Sequence, residues 1–201
     1  RFFRFHAWFG KGNPDNAGLV ACTAGADQLS ALSAERVRAE VLRLLEAPDP
    51  APVFNVMVDH GILADLLPEA TRTDYLANMV AIETELDRTD PVRRLGAVLE
   101  IKPDSVGMPA VSERLRLSNI ERDRLVALLK CEAAPKPSLP DQETRRLQYE
   151  LGSTLFVDAA LLGWAESGDR ADAADWASYI EAAEQREDPV FPLRGADVVA
   201  L

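Results

Sequence analysis

Ser33-Ala34-Glu35-Arg36-Val37-Arg38-Ala39-Glu40-Val41-Leu42-Arg43-Leu44-Leu45 is the stretch whose reading decides the fold class. Val37, Val41, Leu44 and Leu45 stand at i, i+4, i+7 and i+8, which on a helix is one apolar stripe. Ser33 is a good N-cap residue, and Pro48 and Pro50 stop the pattern. The charged residues between them fall at helical spacings too. Arg36 with Glu40, Glu35 with Arg38, and Glu40 with Arg43 predict exposed local ion pairs, each of small worth.

Working outward, the same periodicity recurs and strand signals do not. A helix is predicted from about Pro52 through Val53, Val56 and Met57, with Gly61 as its terminating residue. Another runs from Thr73 to Leu86 with Leu76, Met79, Val80 and Ile82 on one side. Asp90-Pro91 is an N-cap and first-turn pair. A further helix covers about 110–117, and Ser118 with Glu121 has capping-box spacing. Helices follow near 141–151, 153–167 and 170–186, before Asp188, Pro189 and Pro192 break the pattern. No sustained alternation of β-branched residues and no Asn-Gly or Asp-Gly hairpin turn is present. The expectation is an all-α fold, an irregular array of about eight to ten helices with no sheet. Three prolines between 133 and 140 mark a boundary, and the chain is divided into 1–47, 48–132 and 133–201.

With 201 residues and 47% apolar side chains the chain can fill a sizeable core. It has no apolar run approaching the roughly 20 residues of a membrane span, and no signal-peptide pattern, so no membrane partner is expected and the expected location is the cytoplasm; a DNA partner is not expected either. Cys22 and Cys131 are far apart, without metal-ligand spacing, and are read as free and buried. His6 and His60 lack catalytic partners and are read as structural. Gly10-Lys11-Gly12 is a turn and not a phosphate loop, which needs a longer glycine spacing followed by Lys and Ser or Thr. The formal net charge is −11, unevenly spread: +1 over 1–47, −4 over 48–131 and −8 over 132–201. Phosphate contacts are made chiefly by Lys and Arg, so an RNA-facing surface is expected in the first two thirds.

Four segments carry a resemblance to a known family. Arg1-Phe2-Phe3-Arg4-Phe5-His6-Ala7 resembles the continuation of the nucleotide-selecting motif of class II tRNA nucleotidyltransferases, the CCA-adding enzymes and bacterial poly(A) polymerases. Leu32-Ser33-Ala34-Glu35-Arg36-Val37 with Glu40 resembles their Ser-x-Glu-Arg-Ile-x-x-Glu neck motif, with Val37 in the Ile position. Arg114-Leu115-Arg116-Leu117-Ser118-Asn119 resembles a helix junction of the body, and Pro189 to Asp197 the start of the tail. The resemblance implies a neck over 1–47, a body over 48–132 and a body and truncated tail over 133–201. The catalytic head is expected to lie outside this chain.

It further implies transfer of nucleotides from CTP and ATP to a tRNA 3′ end, by paired head carboxylates holding Mg2+. No catalytic or metal-ligating residue is expected in this chain, since Asp169-Arg170-Ala171-Asp172 has the wrong spacing for the Asp-x-Asp motif. By resemblance Arg1, Arg4, Glu35 and Arg36 support the nucleotide pocket. Arg114, Arg116, Arg122, Arg124 and Lys130 make 111–131 locally basic and are the candidate RNA contacts, with Arg93, Arg94 and Lys102 next in line. The aromatics Phe2, Phe3, Phe5, Trp8 and Phe9 between Arg1 and Lys11 have a pattern that stacks bases, and packing against the absent head is the reading preferred for them. The competing reading from another class is a stand-alone helical protein-interaction module.

Overall fold

A computed structural model describes residues 1–101, 107–131, 134–168 and 172–186. Lys102, the Asp169-Arg170-Ala171 run and the tail-like segment from Pro189 to Asp197 lie outside the described residues. The chain is a succession of helices: α1 (Phe2–Phe9), α2 (Asn16–Ala24), a 3-10 turn (Ala26–Ala31), α3 (Ala34–Leu45), α4 (Ala51–Asp59), α5 (Thr73–Glu85) and α6 (Pro91–Val98). It continues through α7 (Gly107–Arg114), α8 (Asn119–Leu129), α9 (Asp141–Leu151), α10 (Ser153–Ser167) and α11 (Ala173–Glu184). Among the described residues the one extended pairing is an isolated antiparallel bridge between Ala70 and Leu99. The fold is all-α, as the periodicity predicts.

Local chemistry sets the helix ends. Ser33 Oγ accepts from the Arg36 amide at the start of α3, and Asp90 accepts from the Arg93 amide ahead of Pro91 in α6. Ser118 and Glu121 form the reciprocal capping box of α8. After α4, Gly61 turns left-handed at φ +67°, with its amide on Val58 O and that of Ile62 on Met57 O. This 6→1 and 5→2 pairing is the Schellman motif. The same two bonds end α7, where Leu117 N reaches Ser112 O and Arg116 N reaches Glu113 O. There the left-handed position is held by Arg116, at φ +45°. That turn ends α7 at Arg114, ahead of the expected 117.

Packing buries the predicted stripe: Val37, Val41, Leu44 and Leu45 all lie in the core, where α3 meets α1 on one side and α6 on the other. A second apolar cluster joins α5, α10 and α11, with Trp164 stacked on Trp176 at 6.2 Å and planes 1° apart. Cys22 and Cys131 are half-buried and not fully buried, with Cys22 packed against the cluster that holds the α3 stripe. Burial pushes the Cys131 thiol above its ordinary pKa.

Between the clusters runs a buried ionic network. Glu83, with 0% of its surface exposed, takes Arg93 on one carboxylate oxygen at 2.7 Å and Arg94 on the other at 2.5 Å. Arg93 also pairs with Asp158 at 2.7 Å, and Arg124 bridges Asp158 and Asp90, both at 2.7 Å. Arg94 donates to the carbonyls of Leu45 and Ala47, oxygens that the end of α3 leaves without a helical partner. Three carboxylates thus face three guanidiniums, and α5, α6, α8 and α10 are fixed to the end of α3. Arg93 and Arg94, next in line as RNA contacts from sequence, are buried and cannot reach a ligand. Their partners are ten or more residues away, outside the range of local spacing rules.

Asp90 offers a pH test. Burial alone would raise its pKa, but the Arg93 amide and the Arg124 guanidinium outweigh it and hold it below 3.8. A depressed folded-state pKa stabilises the fold above the unfolded value and ceases to as pH falls through the folded one. Asp90→Asn keeps the oxygen that caps the Arg93 amide, since Asn caps as well as Asp, and loses the charge together with the second oxygen that accepts from Arg124. At pH 7 the variant is expected to be less stable by about 1–2 kcal/mol. That gap shrinks as pH drops below 3.8, measured by urea unfolding at a series of pH values.

Candidate nucleic-acid interface

Helix α3 is the axis on which the candidate residues meet. Three of its charged side chains, Glu35, Arg38 and Glu40, take a distant partner in place of the local one that spacing predicts. Glu40 takes Arg4 at 2.6 Å and Arg1 at 3.5 Å, Glu35 takes Arg116 at 2.8 Å, and Arg38 takes Glu121 at 3.3 Å. Arg43 turns to Glu46 at 3.8 Å. The predicted pairs Arg36–Glu40, Glu35–Arg38 and Glu40–Arg43 therefore do not form, because the packed chain brings Arg1, Arg4, Arg116 and Glu121 within reach of Glu40, Glu35 and Arg38. Among the described residues Arg36 has no ion-pair partner, and it is exposed.

The four pocket-support candidates divide into two groups. Arg1 and Arg4 converge on Glu40, joining α1 to the middle of α3, and Trp8 adds a hydrogen bond from its indole N–H to the Arg43 carbonyl at 2.8 Å. Burial would raise the Glu40 pKa, but the hydrogen bond from Arg4 and the nearby charge of Arg1 hold it below the usual range. Glu35 and Arg36 lie at the opposite, amino-terminal end of α3, beside the α7–α8 junction. Glu35 is held ionised by its own backbone amide and by Arg116.

The basic candidates are placed in different ways. Arg114 is half-buried and committed to Leu66 O at 2.9 Å and Glu69 at 2.5 Å, and Arg124, also half-buried, belongs to the ionic network. Arg116 and Arg122 are exposed in pairs with Glu35 and with Asp123, and Lys130 is exposed. Arg38 also donates to the Arg116 carbonyl at 3.1 Å, so α3 fixes the backbone of the turn as well as its side chain. A non-glycine residue at a left-handed position costs on the order of 1 kcal/mol.

The amino-terminal aromatics are only partly packed. Phe3 is buried, while Phe5, Trp8 and Phe9 remain exposed, Phe9 to 74%. Phe9 lies against both Phe5 and Trp8, and the Arg4 guanidinium sits 4.4 Å over the Phe5 ring. His6 lies 3.1 Å from Gly12 O and His60 2.9 Å from Val56 O, both local contacts. Among the described residues no three His, Cys, Asp or Glu side chains are gathered as metal ligands, and no helix is long and apolar enough to cross a membrane.

A family model described as the probable RNA and SrmB-binding site of polymerase A matches residues 15–73. The match spans less than a third of the chain and likens this segment to the RNA-binding region of polymerase A. It opens on Asp15, the N-cap of α2, and closes on Thr73, the first residue of α5, so its limits follow element boundaries. No curated protein matches the chain. The polymerase A segment is itself acidic, with Arg36, Arg38, Arg43 and Arg72 against nine carboxylates. Arg38 and Arg72 are paired with Glu121 and Glu166. Within it Arg36 and Arg43 are therefore the cations most available to a phosphate. Arg1 and Lys11 from α1 and its following turn, and Arg116, Arg122 and Lys130 from the α7–α8 region, are the exposed cations that flank the segment in the chain.

Proposed function

We propose that this chain is the RNA-holding region of a nucleotidyltransferase that extends RNA 3′ ends, a CCA-adding enzyme or poly(A) polymerase. The observation that carries the reading is the polymerase A RNA-binding match over 15–73 on a segment whose α3 turns Arg36 and Arg43 outward. In this reading exposed arginines of α3 and of the α7–α8 region hold backbone phosphates, and Arg114 and Arg124 stiffen the surface from beneath. Recognition runs through shape and phosphate contact, the usual mode for the stem of a folded RNA. Arg1, Arg4 and the exposed Phe5, Trp8 and Phe9 form the side turned toward a catalytic domain.

Transfer from CTP or ATP with Mg2+ belongs to that other domain. In this reading no chemical step is assigned to this chain. Its contribution is to position the RNA 3′ end in the cytoplasm, where tRNA is the expected partner.

Photocrosslinking tests the reading. A tRNA carrying 4-thiouridine, irradiated with the chain and mapped by mass spectrometry, is expected to mark peptides of α1 to α3 and of the α7–α8 region. Crosslinks confined to α9–α11 would place RNA on another face and overturn it.

A further inference from the structure

The α7–α8 turn is built against the usual preference for that position. The residue after a helix that closes a Schellman motif is left-handed, and glycine is favoured there because any Cβ is strained. Here it is Arg116, at φ +45°. Its side chain gives the isolated fold little in return. The one ion pair it makes, to Glu35 at 2.8 Å, is exposed on both sides, 69% and 56%, and exposed pairs contribute little. Yet the turn is held firmly, with the Arg116 carbonyl on Arg38 and Arg38 in turn on Glu121. A strained residue kept in place by its surroundings points from the outlier to a use for its side chain.

The partner is informative as well. Glu35 lies in the polymerase A segment, in the first turn of α3, beside the unpaired Arg36. A carboxylate offers a guanidinium the same two-oxygen face that a phosphodiester does. We infer that Glu35 occupies the place of an RNA phosphate on Arg116, and that RNA binding exchanges this internal carboxylate for a backbone phosphate shared by Arg116 and Arg36.

The inference rests on the RNA-binding reading and adds a gate to it. Glu35 is then a competitor of RNA, in contrast to a supporting residue of a nucleotide pocket. No bond is made or broken. The exchange replaces one charge-assisted contact by another and releases counterions from the RNA.

The experiment measures binding of a fluorescein-labelled tRNA acceptor-stem hairpin to the whole chain by anisotropy, at several salt concentrations. Glu35→Gln is expected to tighten binding by about 3- to 5-fold with little change in the salt slope, because the same phosphate contact forms without an ion pair having to break first. Arg116→Gly is expected to weaken binding by a similar factor while melting at the same or a higher temperature, since glycine relieves the left-handed strain. A purely structural role would instead lower the melting temperature. The double variant is expected to bind like Arg116→Gly alone, as coupled residues do in a mutant cycle. Unchanged affinity in Glu35→Gln, or a gain that survives in the Arg116→Gly background, overturns the gate and leaves the RNA-binding reading standing. Absence of any hairpin binding by the wild-type chain overturns both.

Discussion

Glu83→Ala is expected to cost about 3–5 kcal/mol of folding stability, the usual result of removing one partner from a buried ionic contact. The variant leaves Arg93 and Arg94, 5% and 1% exposed, without the carboxylate that neutralises both. Burial pushes the Glu83 pKa up, against the downward pull of the same two arginines, so the site stands on a balance that neither partner maintains alone. A whole domain is stable by only about 5–15 kcal/mol, and the loss would leave the chain marginal at 37 °C. Glu83→Gln is expected to fall between, because its amide offers one acceptor oxygen and turns an N–H toward the second guanidinium. Urea unfolding reads both variants. A cost below about 1 kcal/mol in Glu83→Ala would mean that solvent reaches the arginines and that the network is not the brace described above.

The brace matters to function through Arg94. Its two hydrogen bonds to Leu45 O and Ala47 O hold the carboxyl end of α3, and α3 carries Glu35, Arg36, Glu40 and Arg43. Orientation of the proposed RNA face is therefore set from inside the body, by residues that touch no ligand.

How far the sequence reveals this depends on the distance between partners. Helix α3 was legible because its cap, its stripe and its proline stop all lie within 18 residues. The same holds for the capping box of α8 and for Gly61 after α4. Helix α2 was not, since it has no buried residue and hence no stripe. The ion pairs failed in the opposite direction. Arg93, Arg94 and Arg124 read as surface cations because Asp158 stands 65 and 34 residues from Arg93 and Arg124, and because nothing local shows that α6 is enclosed on all sides. Arg116 was legible as a basic residue. Its left-handed backbone and its partner Glu35, 81 residues away, were not.

In the proposed function the outward arginines of α3 meet RNA phosphates. Arg36→Glu with Arg43→Glu removes two cations that are free or weakly paired, and puts two carboxylates in their place. Neither change disturbs the core, since both side chains are exposed and the bond from Trp8 goes to the Arg43 main chain. The variant is expected to fold normally and to bind RNA at least about tenfold more weakly near 0.1 M salt. Two lost phosphate contacts should also flatten the slope of log affinity against log salt by roughly 1.5. The decisive measurement is the affinity of the labelled acceptor-stem hairpin for the wild-type chain and for this variant across a salt series. The account predicts a weaker and flatter line for the variant. Coincident lines for the two proteins would contradict it and return Arg36 and Arg43 to a solvated helix face.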